Sequence, residues 1–378
     1  MARTIFILGA GASAAAGAPL MAQFLRTIRD LYENGAPEGY EDDFERVMKA
    51  HSLLQSTYAK LRMDYENDIE DLFATFEMIR ILDGESEDFL GFEAEQLTPS
   101  MRRAIGATIE NTMLFPVETG GSQPVRAPHA HFREFVHLLS DIAHSHRPDS
   151  HVAILSFNYD LGLDLALESA RVPFHYALHE DDAHPGIPYL KLHGSLNWGV
   201  CANCGRVISY GITDFQTRYP PATIHAPVPM LVSEHLSDLV HCGTPLPSQP
   251  YLVPPTWNKT EYQKAVANVW KAAYRELSDA SNIIVCGYSF PPTDQFFRHL
   301  LAISLSGGAI IDRFIVTNPN RGSYDRFSAI LSDNVRHVLA EDPLRFENSF
   351  VSLRGRLNIG PAPWNGYWPT EPASAGPS

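Results

Sequence analysis

The sequence predicts an α/β protein built on one doubly wound parallel sheet that carries two insertions. Apolar runs of strand length alternate with helix-period stretches at both ends of the chain, the pattern of parallel strands joined by crossover helices. The first run, Ile5 to Leu8, breaks directly into Gly9-Ala10-Gly11, the entry of a Rossmann-like unit. Between the two alternating blocks lie stretches without strand signals, which read as insertions. No internal repeat is present.

Each element follows from its periodicity. Residues 4–9 read as a buried strand and 19–34 as a helix, with Leu20, Phe24, Leu25, Ile28 and Leu31 at helical spacing. Residues 35–115 read as mostly helical, with Phe44, Val47 and Met48 starting one helix and Ile69, Leu72, Phe73, Phe76, Ile79 and Ile81 forming a stripe in another. Pro99 is expected to open a third that carries Ile105, Ile109 and Met113. A further helix covers 128–146. Residues 151–158, 174–178 and 189–195 then read as strands and 161–170 as a helix. Residues 199–255 show little periodicity. A helix at 260–279 leads to strands at 282–289 and 312–318 flanking a helix at 293–305. Helices are expected at 322–333 and 343–356, with a strand at 335–340 between them. The domain reading is one unit over residues 1–358, with a helical insertion at about 35–146, a small module at about 199–255, and a loose Pro- and Trp-containing tail at 359–378.

The 378 residues suffice for such a domain. With 29 basic against 44 acidic residues the formal charge is −15, which argues against nonspecific nucleic-acid or anionic-membrane binding. The start of the chain does not read as a secretory signal, and no apolar run reaches membrane-spanning length. Four cysteines, three of them within residues 201–242, do not make a disulfide framework. The expected location is the cytoplasm.

Gly9-Ala10-Gly11-Ala12-Ser13 offers small residues that let a backbone approach a phosphate, and a helix start that offers free N–H groups. The third glycine of the dinucleotide fingerprint would fall at Ala14. Asp30 lies where a ribose-binding acid is usual, yet inside a helical stretch, and no Gly-Lys-Ser/Thr follows the loop. The loop therefore announces neither a dehydrogenase nor a P-loop ATPase, and by itself it is equally a plain turn.

Further stretches resemble the sirtuin, or SIR2-like, superfamily. Gly9-Ala10-Gly11-Ala12-Ser13 with Gly17-Ala18-Pro19 resembles its GAGxS…GxP opening, and Ser156-Phe157-Asn158-Tyr159-Asp160 its T-x-N-x-D stretch. Lys191-Leu192-His193-Gly194-Ser195 followed by Cys201-Ala202-Asn203-Cys204 resembles its His-Gly motif leading into a zinc module. Cys286-Gly287-Tyr288-Ser289 and Val316-Thr317-Asn318 are similar to the strand ends that hold the adenosine half of NAD. The order agrees over about residues 4–320. KLHGS, the helical insertion and GYSFPPTDQFF resemble the bacterial anti-phage defence branch of NAD-consuming hydrolases. The deacetylase Asp-Phe-Arg after G-x-P is replaced by Leu20-Met21-Ala22, with Arg26 the nearest cation.

The resemblance implies NAD as substrate, held by Gly9, Ala10, Gly11, Ala12, Ser13, Pro19, Gly287, Ser289 and Asn318. It implies Asn158, Asp160 and His193 as catalytic residues. Asn158 would orient the ribose and a water, Asp160 would bind the carboxamide or orient its neighbours, and His193 would act as base. Each type is also a common turn or structural residue. Ser13 and Ser289 are equally loop caps, and Asn318 equally a strand end.

Cys201-x-x-Cys204 is half of a zinc-ribbon-like module. The second half reads Leu239-Val240-His241-Cys242, so zinc on Cys201, Cys204, Cys242 and either His241 or His235 competes with a knuckle that has lost its metal. The adjacency of His241 and Cys242 would strain a tetrahedral site. Cys286, in a strand, reads as a packing residue.

The expected activity is NAD+ glycohydrolysis to nicotinamide and ADP-ribose in a defence effector that depletes NAD. An NAD-dependent deacylase or ADP-ribosyltransferase and a non-catalytic NAD or ADP-ribose binding module are the alternatives. Expected partners are a second copy of the chain and, from the resemblance alone, a HerA-type ATPase or a short Argonaute.

Overall fold

Seven parallel strands form the sheet of the computed structural model, which describes residues 3–57, 69–82, 94–120, 123–145, 151–179, 186–253, 265–307 and 310–360. They are β1 (Arg3–Leu8), β2 (His151–Ser156), β3 (Phe174–His175), β4 (Ile187–Lys191), β5 (Asn282–Cys286), β6 (Arg313–Thr317) and β7 (Leu339–Asp342). Their order is β7-β6-β5-β1-β2-β4-β3, so the chain builds one side of β1 first, with β3 at the edge and β4 filling in beside β2, and then winds outward through β5, β6 and β7 on the other. This is the doubly wound α/β architecture that the alternation predicts. β1, β2 and β5 read as unbroken apolar runs because nearly every residue in them is buried, as parallel strands require.

Register decides where the chemistry sits. Leu8, the last residue of β1, lies opposite Ser156 at the end of β2 and Cys286 at the end of β5. The loops after these three strands therefore leave the carboxyl edge side by side, at the point where strand order reverses. Open α/β sheets bind ligands at such a switch point.

The chain divides into two compact units. The first, residues 1–15, 127–192 and 266–378, contains the sheet. The second, residues 16–126 and 193–265, gathers the two segments inserted after β1 and after β4. The helix Ala130–Ala143 belongs to the sheet unit, with Phe135 set edge-on to Phe6 at 5.0 Å.

In the second unit the helices Met21–Glu33, Glu41–Thr57, Ile69–Leu82 and Ala94–Thr112 carry the apolar stripes read from the sequence. Asp43 and Arg103 join two of them by a bidentate pair at 2.6 and 2.7 Å. Pro99 does not open the third helix: it lies inside Ala94–Thr112, where it forfeits one i→i−4 bond and the rest of the ladder holds. The residues beyond that helix form a hairpin, Val117–Gly120 with Gln123–Arg126, which the helical reading missed.

Three strand expectations are corrected. Only Phe174–His175 of the 174–178 run pairs, and the 189–195 run splits into β4 and a separate two-residue strand, Gly194–Ser195. Residues expected as a strand at 335–340 begin with the short helix Asp333–Arg336, and the strand falls at Leu339–Asp342. The helix expected at 343–356 is Phe350–Leu357, preceded by a 3-10 turn at Phe346–Asn348. The start of the 260–279 helix and most of the 359–378 tail lie outside the described residues. No described helix is long and apolar enough to cross a membrane.

A buried acid marks the interior of the second unit. Glu110 accepts hydrogen bonds from the Ser233 amide at 2.9 Å and the Ser233 hydroxyl at 2.5 Å. Burial pushes its carboxyl up to about 8, outweighing these two bonds, which pull it down. A carboxyl raised by folding contributes stability that is complete below its unfolded value near 4.5 and is lost as pH rises through about 8. Urea midpoints measured between pH 5 and 8 are expected to fall with pH, and Glu110→Gln is expected to flatten that slope. An unchanged slope in the variant would place the titration elsewhere.

Candidate functional site

The Gly9–Ser13 loop does not run straight into a long helix. It folds into two single 3-10 turns, Ala10–Ala12 and Ala14–Ala16, and the α-helix begins only at Met21. Most of its amides are also spoken for. Gly9 N–H donates to the Cys286 carbonyl at 3.1 Å and Gly11 N–H to the Gly287 carbonyl at 2.9 Å. Ala12 and Ser13 N–H donate back to Gly9 and Ala10 at 2.8 and 3.1 Å. Among the described residues, the Ala10 N–H is the loop amide left without an acceptor.

The glycines serve this loop-to-loop contact. A methyl group on Gly11 would sit 2.8 Å from the Gly287 Cα, and one on Gly9 would sit 2.5 Å from the Tyr288 Cα. Gly287 itself is in the left-handed region (φ +62°), and a side chain there would meet the Ala12 nitrogen at 2.5 Å. The small residues that suggest phosphate approach are thus already required for the two backbones to touch. Beneath them Phe157 stacks on Tyr288 with ring centroids 4.2 Å apart, a contact worth about 1 kcal/mol beyond its buried area.

Asn158, Asp160 and Ser13 come together in the sheet unit. Ser13 is 1% exposed and donates its only hydroxyl proton to Asp160 Oδ2 at 2.6 Å. It must therefore accept from Asn158 Nδ2, at 2.9 Å. The same Nδ2 donates to the Gly9 carbonyl at 2.9 Å. This fixes the amide orientation chemically: Gly9 O can only accept and Ser13 Oγ has given its proton to Asp160, so the nitrogen faces them. The carbonyl oxygen of Asn158, a half-buried residue, is left as the acceptor that the site can offer. Asp160 is buried, and its Oδ1 accepts from the Gly162 N–H at 3.0 Å. Asp160 is thus an orienting residue, and the Ser13 proton points at it.

A second charged group supports this loop. Lys191, the last residue of β4, and Asp164 of the helix Gly162–Ser169 form an ion pair at 3.1 Å with both side chains fully buried. The Asp164 carboxylate also accepts from Tyr176 at 2.5 Å and Tyr189 at 3.2 Å. Burial first, and then the Asp164 charge, raise the Tyr189 hydroxyl well above its ordinary range. The Lys191 ammonium also donates to the Asp160 carbonyl at 2.7 Å. The sequence quotes Lys191 only as part of a motif. The signal available was a lysine between apolar residues in a strand and an aspartate in the apolar helix LGLDLALE, since charges there must be paired.

The remaining residues are placed as follows. Asn318 Oδ1 accepts from the Asn320 N–H at 2.9 Å, so this side chain shapes the turn after β6. Ser289 is exposed, and its carbonyl accepts from Arg326 at 2.7 Å. Cys286 is fully buried, and burial pushes its thiol up, consistent with packing. Pro19 lies in the second unit, just ahead of Met21–Glu33. Arg26, in that helix, is largely exposed and pairs loosely with Asp30 at 3.9 Å. His193 also belongs to the second unit, buried, with its carbonyl accepting from the Val253 N–H at 2.7 Å.

In the second unit Cys201, Cys204, His241 and Cys242 converge, their ligand atoms all within 4.8 Å of one another. His241 Nδ1 lies 3.5 Å from Cys204 Sγ and 3.4 Å from Cys242 Sγ. In a tetrahedral zinc site with Zn–S of about 2.3 Å and Zn–N of about 2.0 Å, the N–S edge is about 3.5 Å. The donor set therefore fits zinc. The adjacency of His241 and Cys242 is accommodated by the backbone, because Cys242 takes a positive φ of 50°. A zinc held by these four ligands would have no open position for water and would be structural. Elemental analysis of the purified protein is expected to give one zinc per chain. Cys204→Ser is expected to lower both that ratio and the melting temperature, and a metal-free wild type would leave a metal-less knuckle.

No protein-family model matches the sequence, and no curated protein matches it. Solved structures do align with it. A Sir2 homologue mutant bound to ADP-ribose has 14% identity and a TM-score of 0.36, over 95% of this chain and 94% of that one. A Sir2 structure bound to a propionylated peptide has 14% identity and a TM-score of 0.34, over 94% of each chain. A Sir2 homologue mutant with 2′-O-acetyl-ADP-ribose has 15% identity and a TM-score of 0.34, over 94% of this chain and 92% of that one. Each of these alignments spans more than nine-tenths of this chain.

Proposed function

We propose that this chain is a SIR2-like NAD+ glycohydrolase that cleaves the bond between nicotinamide and ribose. The observation that carries the reading is Asn158: a half-buried amide at the switch point of a doubly wound sheet, with its nitrogen locked by Gly9 and Ser13 and its oxygen left as an acceptor. The ordered set of sequence motifs supports it.

Nicotinamide leaves NAD as a neutral base from an already cationic linkage, so departure needs no general acid. The protein has to hold the ribose, place a water at the anomeric carbon and keep other water out. The Asn158 oxygen suits a water O–H or a ribose hydroxyl, both donors. Ser13 and Asp160 keep that amide from turning. The Ala10 N–H is the free loop donor for a pyrophosphate oxygen. His193 enters from its sequence motif, as the base that takes a proton from the water or a ribose hydroxyl. Water attack then yields nicotinamide, ADP-ribose and a proton. In this reading Cys201, Cys204, His241 and Cys242 hold a structural zinc, and the chain acts as an oligomeric defence effector. A HerA-type ATPase or short Argonaute would release its activity.

The test is to incubate the purified protein with NAD, alone and with lysates from phage-infected cells, and to follow nicotinamide and ADP-ribose by chromatography. Nicotinamide release without an acyl-lysine peptide, lost in His193→Ala, is the expected result. Release only with such a peptide would make the chain a deacylase, and binding of NAD without release would make it a binding module.

A further inference from the structure

The geometry points to Lys191 as a positioning residue, an ammonium that clamps the main chain of the loop carrying Asn158. This inference rests on the reading of Asn158 given above.

An ammonium offers three protons. In the structure one goes to the Asp160 carbonyl at 2.7 Å, and Asp164 Oδ2 at 3.1 Å takes another. The remaining contacts, Asp164 Oδ1 at 3.4 Å and the Tyr159 carbonyl at 3.5 Å, share the third. Asp164 is in turn held by Tyr176 and Tyr189. Lys191 thus grips the peptide units at 159 and 160 directly. It does so from β4, which is hydrogen-bonded to β2, the strand from which this loop leaves.

Buried charge is an expensive way to hold a sheet together, since apolar side chains of the same size do it equally well. What a methionine or leucine cannot do is donate to two carbonyls in a loop that, past the Phe157 N–H bond to the Leu8 carbonyl, is also held through side chains. Asp160 bonds Ser13 and Gly162, Ser13 receives Asn158, and the Asn158 N–H is held by Ser156 Oγ at 3.1 Å. Release of the Tyr159 and Asp160 carbonyls frees the peptide that sets the Asp160 side chain, and with it the Ser13–Asn158 pair. The ammonium is fully buried and acts through these bonds.

The test separates positioning from stability by replacing the whole pair. Lys191→Met alone strands Asp164, so Lys191→Met/Asp164→Leu is made beside it, with Tyr176→Phe as the control that removes a bond to the same carboxylate but leaves the carbonyl clamp. Melting temperature, kcat and KM for NAD, and amide hydrogen exchange of the segment 156–162 are measured for each. The double variant is expected to melt near the wild type, to lose at least tenfold in kcat with KM within twofold, and to exchange the 156–162 amides at least tenfold faster while β1 and β5 are unchanged. Tyr176→Phe is expected to keep wild-type kcat and exchange. A folded double variant with wild-type kcat and wild-type exchange would overturn the clamp. Should the wild type itself not turn over NAD, the glycohydrolase reading fails by that result, and the exchange of 156–162 decides the clamp independently.

Discussion

Asn158→Ala is expected to lower nicotinamide release from NAD by about a hundredfold or more while the protein stays folded. The size follows from what is lost. The alanine removes the acceptor oxygen that would orient the water or ribose, and misplacement of a reacting group by about 1 Å already costs about a hundredfold. It also removes a donor from the Ser13 hydroxyl and one of the two donors to the Gly9 carbonyl, which keeps the Ala12 N–H, at a cost of about 1–3 kcal/mol of stability. The seven-stranded sheet beneath does not depend on these bonds. Asn158→Asp is the sharper variant. It keeps an oxygen in place but cannot donate, and it sets a second negative charge beside Ser13 and Asp160, so it is expected to be as inactive as the alanine. Initial rates, NAD affinity and melting curves on the same preparations decide this. Full turnover in either variant would remove Asn158 from the chemistry.

The largest effect on stability is expected at Lys191. Lys191→Met removes the cation that, among the described residues, pairs with Asp164 in a site where both side chains are fully buried. Breaking such a pair from one side costs about 3–5 kcal/mol, because the remaining charge stays desolvated. The loss is expected to be largely recovered when Asp164 is also made apolar. Arg26 gives the contrast: its pair with Asp30 is 3.9 Å long with side chains 83% and 60% exposed, and Arg26→Ala is expected to change stability by under about 1 kcal/mol. Denaturant midpoints on the three proteins measure all of this. A Lys191→Met protein within about 1 kcal/mol of the wild type would mean that the pair contributes little to stability.

The parallel sheet was legible because burial on both faces forces unbroken apolar strands, and β1, β2 and β5 carry them. The helical stripes of the second unit were legible for the same reason at a period of 3.6. The sequence lost the signal where local chemistry was weak or misleading. Pro99 reads as a helix start, yet its helix begins a turn earlier. The strand at Leu339–Asp342 is short and only half-buried, so its pattern slid into the neighbouring helix.

The functional residues divide along a similar line. The resemblance of short ordered motifs to a known family pointed to Asn158, Asp160 and the glycine loop, and spacing to the Cys201–Cys204 pair, because such motifs lie within short stretches. Which atom each residue offers was decided only by the tertiary structure. Ser13 has one proton, and a contact 147 positions away claims it for Asp160. Asn158 has two donors, and Gly9 and Ser13 claim both, leaving the oxygen. The glycines of the opening loop meet Gly287 and Tyr288, more than 270 residues along the chain. The histidine brought to the cysteine cluster is His241, next to Cys242 with its positive φ. Hydrogen bonds saturate and act over about 3 Å, so the role of a polar side chain is set by whatever the fold brings within that distance, and no local pattern records it.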